Sequence, residues 1–160
     1  MELSAAIIYG PGEASRRAPA WSRLFALCIA AGCMAVLILA ARLTPSHAGY
    51  GTHTAIGLPD CAFLQRTGVP CPGCGMTTSF SWFVRGNLAA SVYVQPMGAL
   101  LAAVSCSAIW ISMYVAVTGR PVYRLIALAP SELLFGLPLA VGLLAWAWKI
   151  CIHLAGHDGW

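Results

Sequence analysis

Charge is what this chain of 160 residues has least of: nine Lys/Arg and five Asp/Glu make up 9% of it, against roughly 25% in soluble domains. With 59% of the residues hydrophobic, a soluble fold of this size would have no way to bury its apolar surface, so lipid is the expected solvent. The net charge of +4 is the small excess that membrane topology requires. No basic patch interleaved with aromatics accompanies it, which excludes a nucleic-acid partner. Paired carboxylates are missing as well. Asp60 stands alone in the polar part of the chain, so acid/base hydrolysis has little support. There is no internal repeat, no low-complexity segment and no βαβ pattern of a thioredoxin-like protein.

What is present is long apolar runs. Three stretches have the length of spanning helices, for which about 20 residues suffice: about 21–41, 97–118 and 133–154. The first has no charge after Arg23, the second has none at all, and the third carries only Lys149, near an end where its side chain is expected to snorkel. Ser131 and Glu132, after Pro130, suit the start of the third, and Pro138 is expected to kink it. A cleaved signal peptide is the alternative for the first, but Leu24 to Ala41 exceeds an h-region of about 7–15 residues. Residues 1–20 read as a disordered tail, 21–155 as one membrane domain and 156–160 as a C-terminal tail.

Orientation follows Lys/Arg density. Arg16, Arg17 and Arg23 precede the first span, and Arg120 and Arg124 lie between the second and third. Arg42, Arg66 and Arg85 are spread over the long intervening stretch. This favours a cytoplasmic N-terminus and places that stretch outside, where thiols tend to oxidise.

Residues 42–70 read as irregular loop, rich in Gly, Pro, Thr and His. From Thr77 to Tyr93, Phe80, Phe83, Val84, Leu88 and Val92 recur at helical spacing with Ser81, Arg85 and Ser91 between them. That segment is too short to span and reads as an interfacial or re-entrant amphipathic helix broken at Gly86-Asn87, or equally as a helix packed in the bundle. Trp82 and Tyr93 suit a headgroup region. Gly136 and Ala140 offer a small-residue packing face.

Between the loop and this helix stands Cys71-Pro72-Gly73-Cys74-Gly75-Met76-Thr77-Thr78. Its CxxC has three readings. As a redox pair it would form a reversible disulfide, with Pro72 and Gly73 allowing the turn and the following helix stabilising a Cys74 thiolate. As a metal site it would supply two ligands for zinc or another thiophilic metal, with Cys61 the nearest third and His53 or His47 as fourth. The C-terminal Cys151, His153 and His157 offer a remoter source, the two histidines sharing a face if the helix continues. As a structural element the cysteines simply brace the turn, with Pro72, Gly75 and Thr77 shaping the chain. A c-type haem is excluded because Gly75 stands where CxxCH needs its His. Cys28, Cys33 and Cys106 lie in spans and read as packing residues.

The order of these features resembles a bacterial family of small integral membrane proteins of unknown function with a C-P-x-C-G-[LM]-T signature. The residues that carry it run from Leu58 to Gly98 and include Arg85-Gly86-Asn87-Leu88-Ala89-Ala90 and Gln95-Pro96. Cys71, Pro72, Cys74, Gly75 and Thr77 fit the signature, Cys61 fits an upstream Cys, and Pro96 fits the N-P that opens the next span. Thr78 stands where many members have Arg, and Gln95 where Asn is usual. The resemblance implies a bacterial cytoplasmic membrane and supplies no mechanism.

The expectation is therefore an all-α membrane protein with three transmembrane helices and one short amphipathic helix after a CxxC turn. Its expected role is a non-enzymatic module or accessory subunit with a structural CxxC, its partners the bilayer and other membrane subunits. The competing role is thiol-redox or metal-binding through Cys71 and Cys74. A transporter finds no central ionisable residue in the spans.

Overall fold

The computed structural model describes residues 18–120 and 131–160, with backbone only for 131–135. The expected tail before residue 18, Arg16, Arg17, Arg124, Pro130 and the side chains of Ser131 and Glu132 lie outside the described residues.

All regular structure among the described residues is helical. Three helices are long and apolar enough to cross a membrane: α1 (Ala20–Arg42), α5 (Pro96–Thr118) and α6 (Ser131–Leu154). At 1.5 Å per residue, the 23 residues of α1 reach about 35 Å, enough for a hydrocarbon core of about 30 Å. Between α1 and α5 lie a 3₁₀ turn (Thr52–Ile56), the six-residue α2 (Ala62–Thr67), α3 (Met76–Val84) and α4 (Leu88–Val94). The stretch expected to be irregular loop thus contains two short ordered pieces. Gly51 and Gly57 frame the 3₁₀ turn at positive φ, a signal too local for hydrophobic periodicity to carry.

α1 and α5 run antiparallel through small residues. Ala26, Ala30 and Ala40 of α1 and Ala99, Ala102 and Ala116 of α5 are buried, which lets the backbones approach closely and gain dispersion contacts that lipid cannot replace. At one end the Arg23 guanidinium donates to the Ala116 carbonyl at 2.8 Å. α6 returns toward the other end, where α1 finishes and α5 begins. Every polar feature of interest gathers at that end.

The segment after the CxxC is a helical hairpin. Gly86 (φ 80°) breaks it, and the Asn87 side chain caps α4 by accepting from the Ala90 amide at 3.0 Å. Its inward face is built mainly of small polar residues, with Ala90 and Val94. Thr78, Ser79, Ser81 and Ser91 are buried, while Leu88 and Val92 are more than half exposed. The inward face is stitched by hydroxyls. Ser79 Oγ lies 2.8 Å from the Ser91 carbonyl, Ser91 Oγ donates to the Ser79 carbonyl at 2.8 Å, and Ser81 Oγ donates to the Ala40 carbonyl at 3.0 Å. The Arg85 guanidinium also donates to the carbonyls of Ser81 and Ala41, closing the orphan end of α1. Small polar residues pack inward together with Ala90 and Val94, and Leu88 and Val92 look out.

Gly136 and Ala140 are exposed on α6, so they make no close contact within the described residues. Lys149 departs further from expectation. It does not snorkel to solvent but is fully buried, because the tail brings Asp158 to it at 3.0 Å.

Candidate functional site

The CxxC forms a tight turn closed by the Cys74 amide donating to the Cys71 carbonyl at 3.0 Å. Gly75 then takes φ 85° as the residue before α3. Only glycine suits this position, since a Cβ would sit 2.7 Å from the Gly49 carbonyl oxygen and 3.2 Å from Val94 Cγ1. The turn is held from two sides. Gln95 Nε2 donates to the Pro72 carbonyl at 2.8 Å, and Trp146 Nε1 donates to the Pro70 carbonyl at 2.9 Å. Gln95 is fully buried, so its amide donor is withdrawn from water, and leaving such a buried donor unpaired would cost about 1–3 kcal/mol. Thr78 is buried with its hydroxyl 2.8 Å from Thr52 Oγ1, which ties the 3₁₀ turn to α3.

Three sulfurs converge here. The Sγ atoms of Cys61, Cys71 and Cys74 all lie within 4.8 Å of one another. Cys71 and Cys74 are 3.3 Å apart, a thiol contact and not the roughly 2.05 Å of a disulfide. Cys61 arrives from a separate element as the residue preceding α2. Around a metal with bonds of about 2.3 Å, thiolate sulfurs stand about 3.8–4.0 Å apart. The observed sulfurs lie within about an ångström of that spacing, so small side-chain adjustments suffice. The cluster is compatible with a metal site.

The three thiols differ electrostatically. Cys61 is lowered from 9.0 to about 7, chiefly by the nearby Leu64 N–H, with the Cys74 and Cys71 thiols assisting against burial. The Leu64 contact polarises the sulfur without being a formed cap hydrogen bond. Cys74 is pushed from 9.0 up to about 12, first by burial and then by its thiol neighbours. This corrects the expectation that the following helix would favour a Cys74 thiolate. Withdrawal from water outweighs the helix dipole, which is worth about 0.3–1 kcal/mol in exposed positions.

A cavity of about 220 Å³ opens beside the sulfurs, and Tyr50, His53, Asp60, Cys61, Gln65 and Cys74 are among its lining residues. His53 is therefore near the thiols but outside the converged trio, with Nε2 3.1 Å from the Pro59 carbonyl oxygen. His47 instead points Nδ1 at the Trp160 backbone oxygen at 3.0 Å. The C-terminal candidates do not join the cluster. α6 ends at Leu154, so His153 and His157 do not continue on one helical face, and His153 Nδ1 is bound to Asp158 Oδ2. Cys151 is exposed.

Sequence reasoning missed Gln95 and Trp146 as braces of the turn, and Tyr50, Asp60 and Gln65 as cavity walls. A single signal was available for Gln95: a polar residue at the mouth of an apolar helix beside a proline. The others meet the site only through tertiary contact.

A family model described as "Protein of unknown function (DUF2752)" matches residues 61–109. That stretch holds all three converging thiols, the hairpin and the first half of α5. No curated protein and no solved structure matches the chain.

Proposed function

We propose that this chain is a small non-enzymatic membrane module that holds a thiophilic metal ion, zinc or one of similar softness, between Cys61, Cys71 and Cys74. The convergence of three sulfurs from two separate elements carries the reading. A turn brace or a staple needs two cysteines. It gives no reason for a third sulfur to be brought in from the start of α2. Thiolates and soft borderline metals suit each other, and the ion itself supplies the charge that holds the buried Cys74 as thiolate. Gly73, Gly75, Pro72 and Thr77 then serve to shape and cap the turn. The Lys/Arg distribution supports placing this end of the molecule outside a bacterial cytoplasmic membrane.

The test is metal analysis of protein purified in detergent under reductant and supplied with Zn²⁺. One equivalent per chain is expected, falling well below that in Cys61→Ser, Cys71→Ser and Cys74→Ser. Metal-free parent protein would overturn the reading. The 3.3 Å separation of Cys71 and Cys74 favours one second reading, a dithiol that gives two electrons and two protons to the disulfide of a partner protein. That reading predicts a reversible Cys71–Cys74 bond at the potential of the glutathione pool in metal-free protein. Side-specific cysteine labelling checks the orientation, since labelling of Cys61 only from the cytoplasm contradicts it.

A further inference from the structure

Resting on the metal reading above, we propose that the three-thiol site keeps one coordination position open toward its cavity and takes there the sulfur of a small aminothiol. Structural zinc sites are closed by four protein ligands, whereas sites that bind an exchanging ligand present three and leave a position free. Here three sulfurs converge. His53 and Asp60, the other lining residues able to ligate a metal, are outside the trio, and His53 is turned to the Pro59 carbonyl. The sulfurs are also graded in access: Cys74 is buried, while Cys61 and Cys71 are half-buried. Cys61 and Cys74 both line the cavity, which therefore adjoins the trio.

Size and charge narrow the occupant. The cavity measures about 220 Å³, room for about seven waters at roughly 30 Å³ each, so a ligand of four to six heavy atoms enters with space to spare. Three thiolates and a divalent ion leave one net negative charge, and a fourth thiolate makes two. Asp60 on the cavity wall adds another, and no ion pair neutralises it among the described residues. An acidic thiol would meet repulsion from every side. A thiol carrying its own ammonium group brings a compensating charge and places it where Asp60 accepts it. Binding forms one metal–sulfur bond, the thiol proton leaves to solvent, and no bond within the protein breaks.

The experiment uses the full chain loaded with Co²⁺, whose visible absorption reports the number and kind of its ligands. Cysteamine, mercaptoacetate and ethanolamine are titrated separately. Cysteamine is expected to change the spectrum saturably, roughly fivefold more tightly than mercaptoacetate, and ethanolamine is expected to leave it unchanged. Asp60→Asn should narrow the gap between the two thiols to about threefold, since it removes one partly screened charge and leaves that of the metal–thiolate centre. A thiolate–cobalt spectrum that cysteamine does not move overturns the open position. If His53→Ala then makes it responsive, His53 closes the site and the same conclusion stands. Equal affinity for the two thiols in the parent protein overturns the aminothiol assignment. If Co²⁺ gives no thiolate band at all, the metal reading falls and takes this one with it.

Discussion

The buried Lys149–Asp158 pair offers the sharpest test of how the C-terminal tail is held. Lys149 is fully buried, and its Nζ lies 3.0 Å from Asp158 Oδ1, whose side chain retains 14% of its exposure. The same ammonium donates to the Gly49 carbonyl at 3.2 Å, and the Tyr50 ring stands 5.9 Å away. Asp158→Asn keeps the shape and removes the charge, leaving the ammonium in a dry site with only neutral acceptors, the Gly49 carbonyl and the new amide oxygen. Breaking a buried pair from one side costs about 3–5 kcal/mol. The remaining Gly49 contact and the partial exposure of Asp158 place the expected loss at the lower end, about 3 kcal/mol. Lys149→Met should cost less, about 1.5 kcal/mol, because Asp158 keeps His153 on its other carboxylate oxygen and loses only a charged hydrogen bond. The double variant Lys149→Met/Asp158→Asn removes both charges and should fall short of the sum of the singles by about 2 kcal/mol. The assay is reversible unfolding in mixed micelles with a denaturing detergent, completed as a double-mutant cycle. An Asp158→Asn protein within about 0.5 kcal/mol of the parent, or a strictly additive cycle, would refute the reasoning.

Three further outcomes follow from the thiol turn. In metal-free, reduced protein, pulsed iodoacetamide labelling read by peptide mass spectrometry should show Cys61 half-reactive near pH 7, where its lowered pKa lies, and Cys74 protected until the pH approaches 12. In the matching stability profile, Cys74 supports the fold fully below about pH 9 and loses that support as pH rises toward 12, whereas Cys61 contributes above about pH 9 and loses it as pH falls through 7. Cys74 alkylated at pH 8 as fast as Cys61 contradicts both assignments. Gly75→Ala forces a side chain into a left-handed backbone with its Cβ 2.7 Å from the Gly49 oxygen and should cost about 2–3 kcal/mol together with metal affinity. Gly73→Ala is the control, since its Cβ would meet only Cys71 Sγ at an ordinary 3.9 Å, and equal melting of the two variants would show that the Gly75 argument is wrong.

Gly49, Gly75 and Gly159 also show how the tail, the early loop and the CxxC exit become one layer. A Cβ on Gly49 would collide with the Asp158 backbone, one on Gly159 with the His47 carbonyl, and one on Gly75 with Gly49 itself. Three backbone segments far apart in the chain approach here to contact distance. Lys149 and Asp158 then lock the layer from the side of α6. The cavity walls contributed by Tyr50 and Gly51 belong to the same layer, so tail and site are mechanically joined.

The sequence by itself determined the three helices long and apolar enough to cross a membrane and the CxxC turn at one end of them, because hydropathy length and local Gly/Pro chemistry act within a few residues. The break at Gly86-Asn87 and the candidacy of Cys61 were legible for the same reason. Tertiary structure alone decided which thiols meet, that Cys74 and not Cys61 is the one withdrawn from water, and that His153 serves Asp158 and not the thiol cluster. It also decided that the hairpin turns its hydroxyls inward and that Lys149 is neutralised instead of solvated. These outcomes depend on burial and on partners from 5 to 100 residues away, and neither periodicity nor spacing encodes which of them meet.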